Sequence, residues 1–202
     1  MPESWKKHYE HFTDKLIPPS ATLSKALELF SQEKINIRHA IDLGCGNGID
    51  THALLQNNWQ VLAIDKEEEA LNQLDTLVAQ NHRHALAKRC SAFEELTSLP
   101  STTLVNASFS LPFCHPNYFD KVWQVIVNSI QPNGRFSGHF FGNDDSWSSN
   151  TDMTFHNMQE IEALLSDFNI EALKEVNKKG KTVSGKVKHW HVFHIVARKN
   201  TI

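Results

Sequence analysis

The 202-residue chain holds only three cysteines, at positions 45, 90 and 114, and no two are spaced as Cys-x-x-Cys. That excludes a disulfide scaffold and argues against a structural zinc site. No apolar run approaches the roughly 18 residues that a membrane span needs. The opening stretch, MPESWKKHYEHF, is polar and aromatic, unlike a secretory leader. Neither sign of charge dominates: 20 Lys and Arg face 23 Asp and Glu, a formal charge of −3, so nothing global attracts nucleic acid. Basic residues gather only near the end, at Lys178, Lys179, Lys181, Lys186, Lys188, Arg198 and Lys199, and a solvated hairpin accounts for them. These absences leave a soluble, cytoplasmic protein with no expected nucleic-acid or membrane partner. Whether it is a monomer or a dimer stays open.

What is present is long enough, and at 40% apolar residues hydrophobic enough, to bury a substantial core. Residues 1–34 read as an N-terminal appendage and helix, punctuated by Pro18 and Pro19, with Ser20 as N-cap and Leu23, Leu27 and Phe30 on one face. Residues 35–202 then alternate strand and helix. Strands are expected at 39–43, 59–65, 84–90, 102–107 and 135–142, and helices at 49–56, 66–80, 117–128 and 157–168. QPNG at 131–134 reads as a turn, and 142–156 as a polar linker. The last two strands, NIEALKEV and KHWHVFHIVAR, have no room for a helix between them and must pair antiparallel. The fold class is therefore α/β: a doubly wound, mostly parallel sheet with an antiparallel C-terminal hairpin and helices on both faces.

The most informative stretch is DLGCGNG, residues 42–48, directly after the first strand. Its third glycine falls at 48, one residue short of the dinucleotide fingerprint, where Ile49 stands instead. No Gly-Lys-Ser/Thr follows Gly44, so a triphosphate loop is not indicated. Asp65 ends the second strand, on the same edge of a parallel sheet. A carboxylate there can accept two ribose hydroxyls, or it can cap the next helix. The ribose reading suits a dinucleotide and an adenosine alike.

DLGCGNG, Asp65 after VLAI, QPNGRF before the fifth strand and the closing strand pair resemble the class I S-adenosylmethionine-dependent methyltransferases over roughly residues 35–197. Among them the chain is most similar to small bacterial enzymes, including the tellurite-resistance type. The resemblance implies a seven-stranded sheet and S-adenosyl-L-methionine as cofactor. It puts Gly44, Cys45, Gly46 and Gly48 under the cofactor, Asp42 near its methionine end, Asp65 on the ribose and Lys66 beside the adenine. Asn106 and Ala107 match the position near the methionine moiety. The family's acidic residue after the third strand is missing from RCSAFEELTSLP. Phe93 by stacking or Glu94 by accepting a hydrogen bond is the candidate adenine contact. NASF replaces the Asn/Asp-Pro-Pro-Tyr/Phe motif of many amino-group methyltransferases, which argues against DNA-adenine and protein-glutamine substrates.

Methyl transfer from a sulfonium is an in-line displacement that needs alignment, a dry pocket and sometimes a base. No metal is required, and no G-x-S-x-G elbow suggests a hydrolase. The candidates for handling the acceptor are Tyr9 in the appendage (a candidate lid), His139 on the fifth strand and His191 on the last. Phe109, Asn143, Asp144 and Trp147 are candidate linings. The expected reaction is methylation of a small molecule at oxygen, sulfur, nitrogen or a chalcogen oxyanion. The alternatives are an NAD-dependent oxidoreductase and a non-catalytic nucleoside-binding protein of the same fold.

Overall fold

A computed structural model describes residues 18–182 and 185–201. Tyr9 and the candidate lid, residues 1–17, lie outside them. The elements in chain order are α1 (Ala21–Ser31), β1 (His39–Leu43), α2 (Ile49–Gln56), β2 (Gln60–Asp65), α3 (Glu68–Leu77), β3 (Leu86–Cys90), β4 (Thr102–Ala107), α4 (Pro116–Ser129), β5 (Ile130–Gly142), β6 (Phe155–His156), α5 (Met158–Leu164), β7 (Phe168–Lys181) and β8 (Val187–Lys199). No helix among the described residues is long and apolar enough to cross a membrane.

The strands form one sheet in the order β3-β2-β1-β4-β5-β8-β7. Strands β1 to β5 run parallel, and β8 is antiparallel to both β5 and β7. Strands β1 and β4 are buried almost throughout, as parallel strands covered on both faces must be. One face is covered by α4, through Phe119, Val122, Trp123 and Ile126. The other is covered by α1, α2 and α3, through Leu23, Ala26, Phe30, Leu54, Leu71 and Leu74. The chain leaves β1 toward β2 on one side and later returns through β4 on the other. That reversal opens a crevice at the carboxyl ends of the central strands, where open α/β sheets bind ligands.

Helix α1 is built into this wall. Ser20 Oγ accepts the Leu23 N–H at 3.2 Å, and Leu23, Ala26 and Phe30 recur at the spacing of one helical face. Phe30 meets Trp59 edge-on at 5.0 Å.

Three expectations are corrected. The QPNG segment lies inside β5: Thr102 pairs with Ile130 and Leu104 with Arg135, so one residue of β4 faces four of β5. The turn chemistry survives as a bulge, with Asn133 at φ 65°. The polar linker contains an eighth strand, β6, because Thr154 is tied to Pro112 O at 2.9 Å and to Cys114 O at 2.7 Å. Those bonds lay Phe155 and His156 parallel to the end of β5. The last helix is shorter than 157–168, starting from an Asn157–Glu160 capping box and ending at Leu164.

Candidate active site

The glycine loop joins β1 to α2. Gly44 has φ 71° and Gly48 φ 78°, conformations that L side chains rarely adopt. A Cβ at Gly44 would overlap Ser110, and one at Gly48 would overlap Leu74. Those two glycines thus let the loop close against the β4–α4 connection and α3. The Gly44 and Cys45 N–H groups donate to Ile64 O at 2.7 and 3.0 Å, which clamps the loop to the end of β2.

Asp65 is the hinge of this arrangement. Its Oδ2 accepts the Gly46 N–H at 2.8 Å and its Oδ1 accepts the Glu67 N–H at 3.0 Å. The second bond serves the start of α3, whose N-cap is Glu67, so capping and loop-holding coexist. Each carboxylate oxygen still has a lone pair for a ligand hydroxyl. Asp65 lines an open cleft of about 610 Å³, its mouth included, with Gly44, Lys66, Phe93, Glu94 and Phe109. Ser110 and Phe113 close the same cleft.

Beneath the loop lies a buried polar network. Asn106, fully buried, spends both amide hydrogens on carboxylates: Asp42 Oδ1 at 2.9 Å and Asp50 Oδ2 at 3.0 Å. Its own oxygen accepts Ser137 Oγ–H at 2.8 Å. Asp42 also accepts Thr51 Oγ–H at 2.5 Å. Asp50 accepts both the N–H and the Oγ–H of Ser20, each at 2.8 Å. No cation among the described residues pairs with either carboxylate. Burial first, and the neighbouring Asp50 charge second, push the Asp42 carboxyl up to about 7, against the bonds from Thr51 and Asn106.

The sign of the resulting pH dependence follows from linkage. Folded Asp42 keeps a proton that the unfolded chain releases near its ordinary value. Its contribution is complete below that value and is lost as pH rises toward about 7. Asp42→Asn should remove this loss. We expect urea unfolding at pH 5 and pH 7.5 to show the variant gaining stability relative to wild type at the higher pH. Each tenfold displacement of the proton equilibrium is worth about 1.4 kcal/mol. An identical wild-type-to-variant difference at both pH values would refute the buried-proton account.

The remaining sequence candidates fall into distinct places. Cys45 is buried, and burial together with Asp42 and Asp65 holds its thiol well above the usual range, so it is no nucleophile. Ala107 sits in the core with no exposed surface, its carbonyl packed under Gly138. His139 is 1% exposed and lies behind Phe109, with their rings stacked at 3.9 Å. Its Nδ1 accepts the Phe109 N–H at 3.2 Å. Burial, then His194, hold the imidazole neutral far below its ordinary pKa, so its one proton is on Nε2. That state donates; it does not act as a base.

His191 is occupied at both nitrogens: Nδ1 accepts the Asp144 N–H at 3.1 Å and Nε2 faces Glu175 Oε1 at 2.8 Å. Its ring fills the space beside Gly142 and pins the 142–147 loop to the hairpin. Trp147 belongs to the same staple, because Lys188 Nζ lies 3.4 Å from its ring centroid and 2.5 Å from the buried Asp145. Asp144 accepts from Asn177 Nδ2 at 2.9 Å. Among the described residues no group of three or more His, Cys, Asp or Glu is placed to hold a metal.

Sequence reasoning overlooked Asp50, and it took Ser110 and Phe113 only as part of the stretch from Val105 to Phe113 after the fourth strand, where residues facing cofactor and substrate are expected. Asp50 in the first turn of α2 reads as an ordinary helix-dipole acid. Only the fold shows it buried against Asn106, 56 positions away.

A methyltransferase-domain family matches residues 40–134, and no curated protein sequence matches the chain. Among solved structures, TehB from Haemophilus influenzae superposes with a TM-score of 0.76 at 12% identity, over 97% of this chain and 67% of that one. The 1,6-didemethyltoxoflavin-N1-methyltransferase of Burkholderia thailandensis, solved with 1,6-didemethyltoxoflavin and S-adenosylhomocysteine, gives 0.68 at 20% identity, over 98% and 84%. The N-methyltransferase NodS from Bradyrhizobium japonicum, solved with S-adenosylhomocysteine, gives 0.68 at 12%, over 98% and 100%. With the strand order, the glycine loop and Asp65 at the crevice, these likenesses show that the chain has the class I S-adenosylmethionine-dependent methyltransferase fold.

Proposed function

We propose that the protein transfers a methyl group from S-adenosylmethionine to a small-molecule acceptor by in-line displacement. The observation that carries this reading is Asp65, held by two backbone amides at the rim of an open cleft with a free acceptor on each oxygen. The cleft fits the cofactor chemically. Asp65 would hold the ribose hydroxyls, Phe93 offers a flat face for the adenine, and Lys66 and Glu94 flank it. Buried Asp50, which has no cation partner among the described residues, would give the methionine end a negative environment suited to a positively charged ligand.

When bound, the cofactor supplies an already activated methyl group. The chain's part is then to position and to exclude water. The loop clamp on Ile64 O and the Asp65 bonds fix the floor; Phe109, Ser110 and Phe113 line the same cleft and would wall the acceptor side in this reading. Neither His139 nor His191 presents a free basic nitrogen, since His139 Nδ1 and both nitrogens of His191 are engaged. In this reading neither of these two histidines takes the acceptor's proton. The B. thailandensis enzyme named above was solved with 1,6-didemethyltoxoflavin bound, in keeping with a small acceptor here.

Residues 1–17 supply the lid in this reading, with Tyr9 as a candidate contact to the acceptor. Its support is the anchoring of Ser20 to Asp50 and Ser108, which sets the segment's point of departure at the methionine end of the cleft. The test is a methyl-transfer screen with labelled S-adenosylmethionine over thiols, phenols, amines and oxyanions, run on the full chain and on a variant lacking residues 1–17. We expect transfer by the full chain, and turnover lower by about tenfold or more in the truncated one with S-adenosylhomocysteine affinity retained. No transfer to any class would refute the enzyme reading. Equal turnover by both proteins would refute the lid.

A further inference from the structure

Phe109 stands out among the residues of the cleft. It has φ 51°, a backbone conformation suited to glycine or asparagine, yet the chain places a bulky aromatic there. The ring is 42% exposed and lines the cleft beside Gly44 and Ser110. One of its faces is backed by the His139 imidazole, nearly parallel at 13° and 3.9 Å away. Its edges meet Phe141 at 6.4 Å and His194 at 6.1 Å. The same imidazole receives the Phe109 N–H. His139 thus holds both the backbone and the ring of residue 109, and among the described residues no second ring stacks on Phe109 where it lines the cleft. An exposed aromatic in an unfavourable backbone conformation, over-determined by its surroundings, marks a functional position.

We propose that Phe109 is a stacking platform for a planar, ring-containing methyl acceptor, and that His139 is the positioning residue that holds the platform in place. This rests on the methyltransferase reading above and adds the acceptor's shape. The physical reason is the match of a flat, polarisable face to another flat face. Aromatic pairs prefer offset stacking, and a saturated ring of the same size cannot make the same contact. A fixed platform also removes the ordering cost of closing a mobile ring on the ligand. His139 would act through Phe109 and never on the acceptor.

The test uses the full chain saturated with S-adenosylhomocysteine and two matched probes, 2-naphthol and decahydro-2-naphthol. Binding is followed by NMR on protein labelled with ¹³C in its Phe rings, the Phe109 signal being identified by its absence in Phe109→Leu. We expect 2-naphthol to shift the Phe109 ring signal and to bind severalfold, up to about tenfold, more tightly than its saturated partner. Phe109→Leu should abolish that preference. His139→Phe keeps a ring behind Phe109 but removes the acceptor for its N–H. His139→Asn does the reverse. Each should weaken 2-naphthol binding and leave S-adenosylhomocysteine affinity unchanged, a split that general destabilisation would not give. A ¹⁵N spectrum of the wild type should also show the His139 proton on Nε2. Equal affinity for the two probes, an undiminished preference in Phe109→Leu, or no binding of either probe while S-adenosylhomocysteine binds would overturn the proposal. Failure of the wild type to bind S-adenosylhomocysteine would instead bring down the methyltransferase reading on which it rests.

Discussion

An Asp65→Ala protein is expected to bind S-adenosylhomocysteine about 100-fold more weakly than wild type, a loss of about 2.7 kcal/mol. Two effects add. The first is removal of the carboxylate that would accept the ribose hydroxyls; hydrogen bonds to a charged group are worth about 1.5–3 kcal/mol each. The second is internal. The N–H groups of Gly46 and Glu67 lose their acceptor, so the glycine loop and the first turn of α3 lose the bonds that hold them together. Asp65→Asn should fall between, because one amide oxygen can serve one backbone N–H while the NH₂ end opposes the other. Calorimetric titration with S-adenosylhomocysteine measures all three proteins. An affinity within about threefold of wild type for Asp65→Ala would rule out the ribose role and leave Asp65 as a loop-holding residue.

The largest effect on stability is expected far from the cleft. Arg135, 1% exposed, is gripped on two sides. Its Nε and Nη2 donate to Glu171 at 2.5 and 2.8 Å, and its Nη1 and Nη2 donate to Glu33 at 3.1 and 2.7 Å. The guanidinium also lies 4.3 Å from the centre of the Phe30 ring. Glu33 follows α1, and Ser20 before α1 is bound to Asp50 at the crevice. The helix is thus tied at both ends, one end at the active-site network and the other at Arg135. Arg135→Met would take the cation from Glu171 and leave Glu33 with Arg198 alone, whose Nη1 donates to Glu33 Oε1 at 3.1 Å. Breaking such a pair typically costs about 3–5 kcal/mol, on the order of 10 °C in Tm for a chain of this size. Thermal and urea unfolding would measure it, and a loss under about 1 kcal/mol would refute the account. Adding Glu33→Gln and Glu171→Gln should recover part of the loss. Arg135 also lowers the Glu33 carboxyl below its ordinary value, chiefly by hydrogen bonding. That share of the stabilisation is present above the ordinary carboxylate pKa and is lost as pH falls through the lowered one.

Much of this architecture was legible along the chain because its causes are local. The first strand and the helix after it, residues 39–43 and 49–56, fall where the short apolar run and the glycine punctuation put them. Asp65 could be placed at the crevice because the end of a second parallel strand always lies on that edge. The run from Asn169 to Val176 and the run from Lys188 to Arg198 could pair only antiparallel, for want of residues between them.

What escaped depends on pairs of residues far apart in sequence, whose meeting no periodicity encodes. Asp50 joins the site through Asn106 and Ser20, and β6 exists through Thr154 reaching Pro112 and Cys114. The histidines are the clearest case. Residue type alone made His139 and His191 candidate bases, since a free imidazole titrates near neutrality. The fold spends His191 between Asp144 and Glu175, and it buries His139 with Nδ1 bound to Phe109. The fold class, the cofactor loop and Asp65 were thus written in short-range pattern. Which groups keep a free lone pair, which carboxyl is pushed toward its protonated form and which ring lines the cleft were set by burial and by hydrogen bonds between distant segments. Those are properties of the packed molecule, because desolvation and partner geometry exist only once the segments meet.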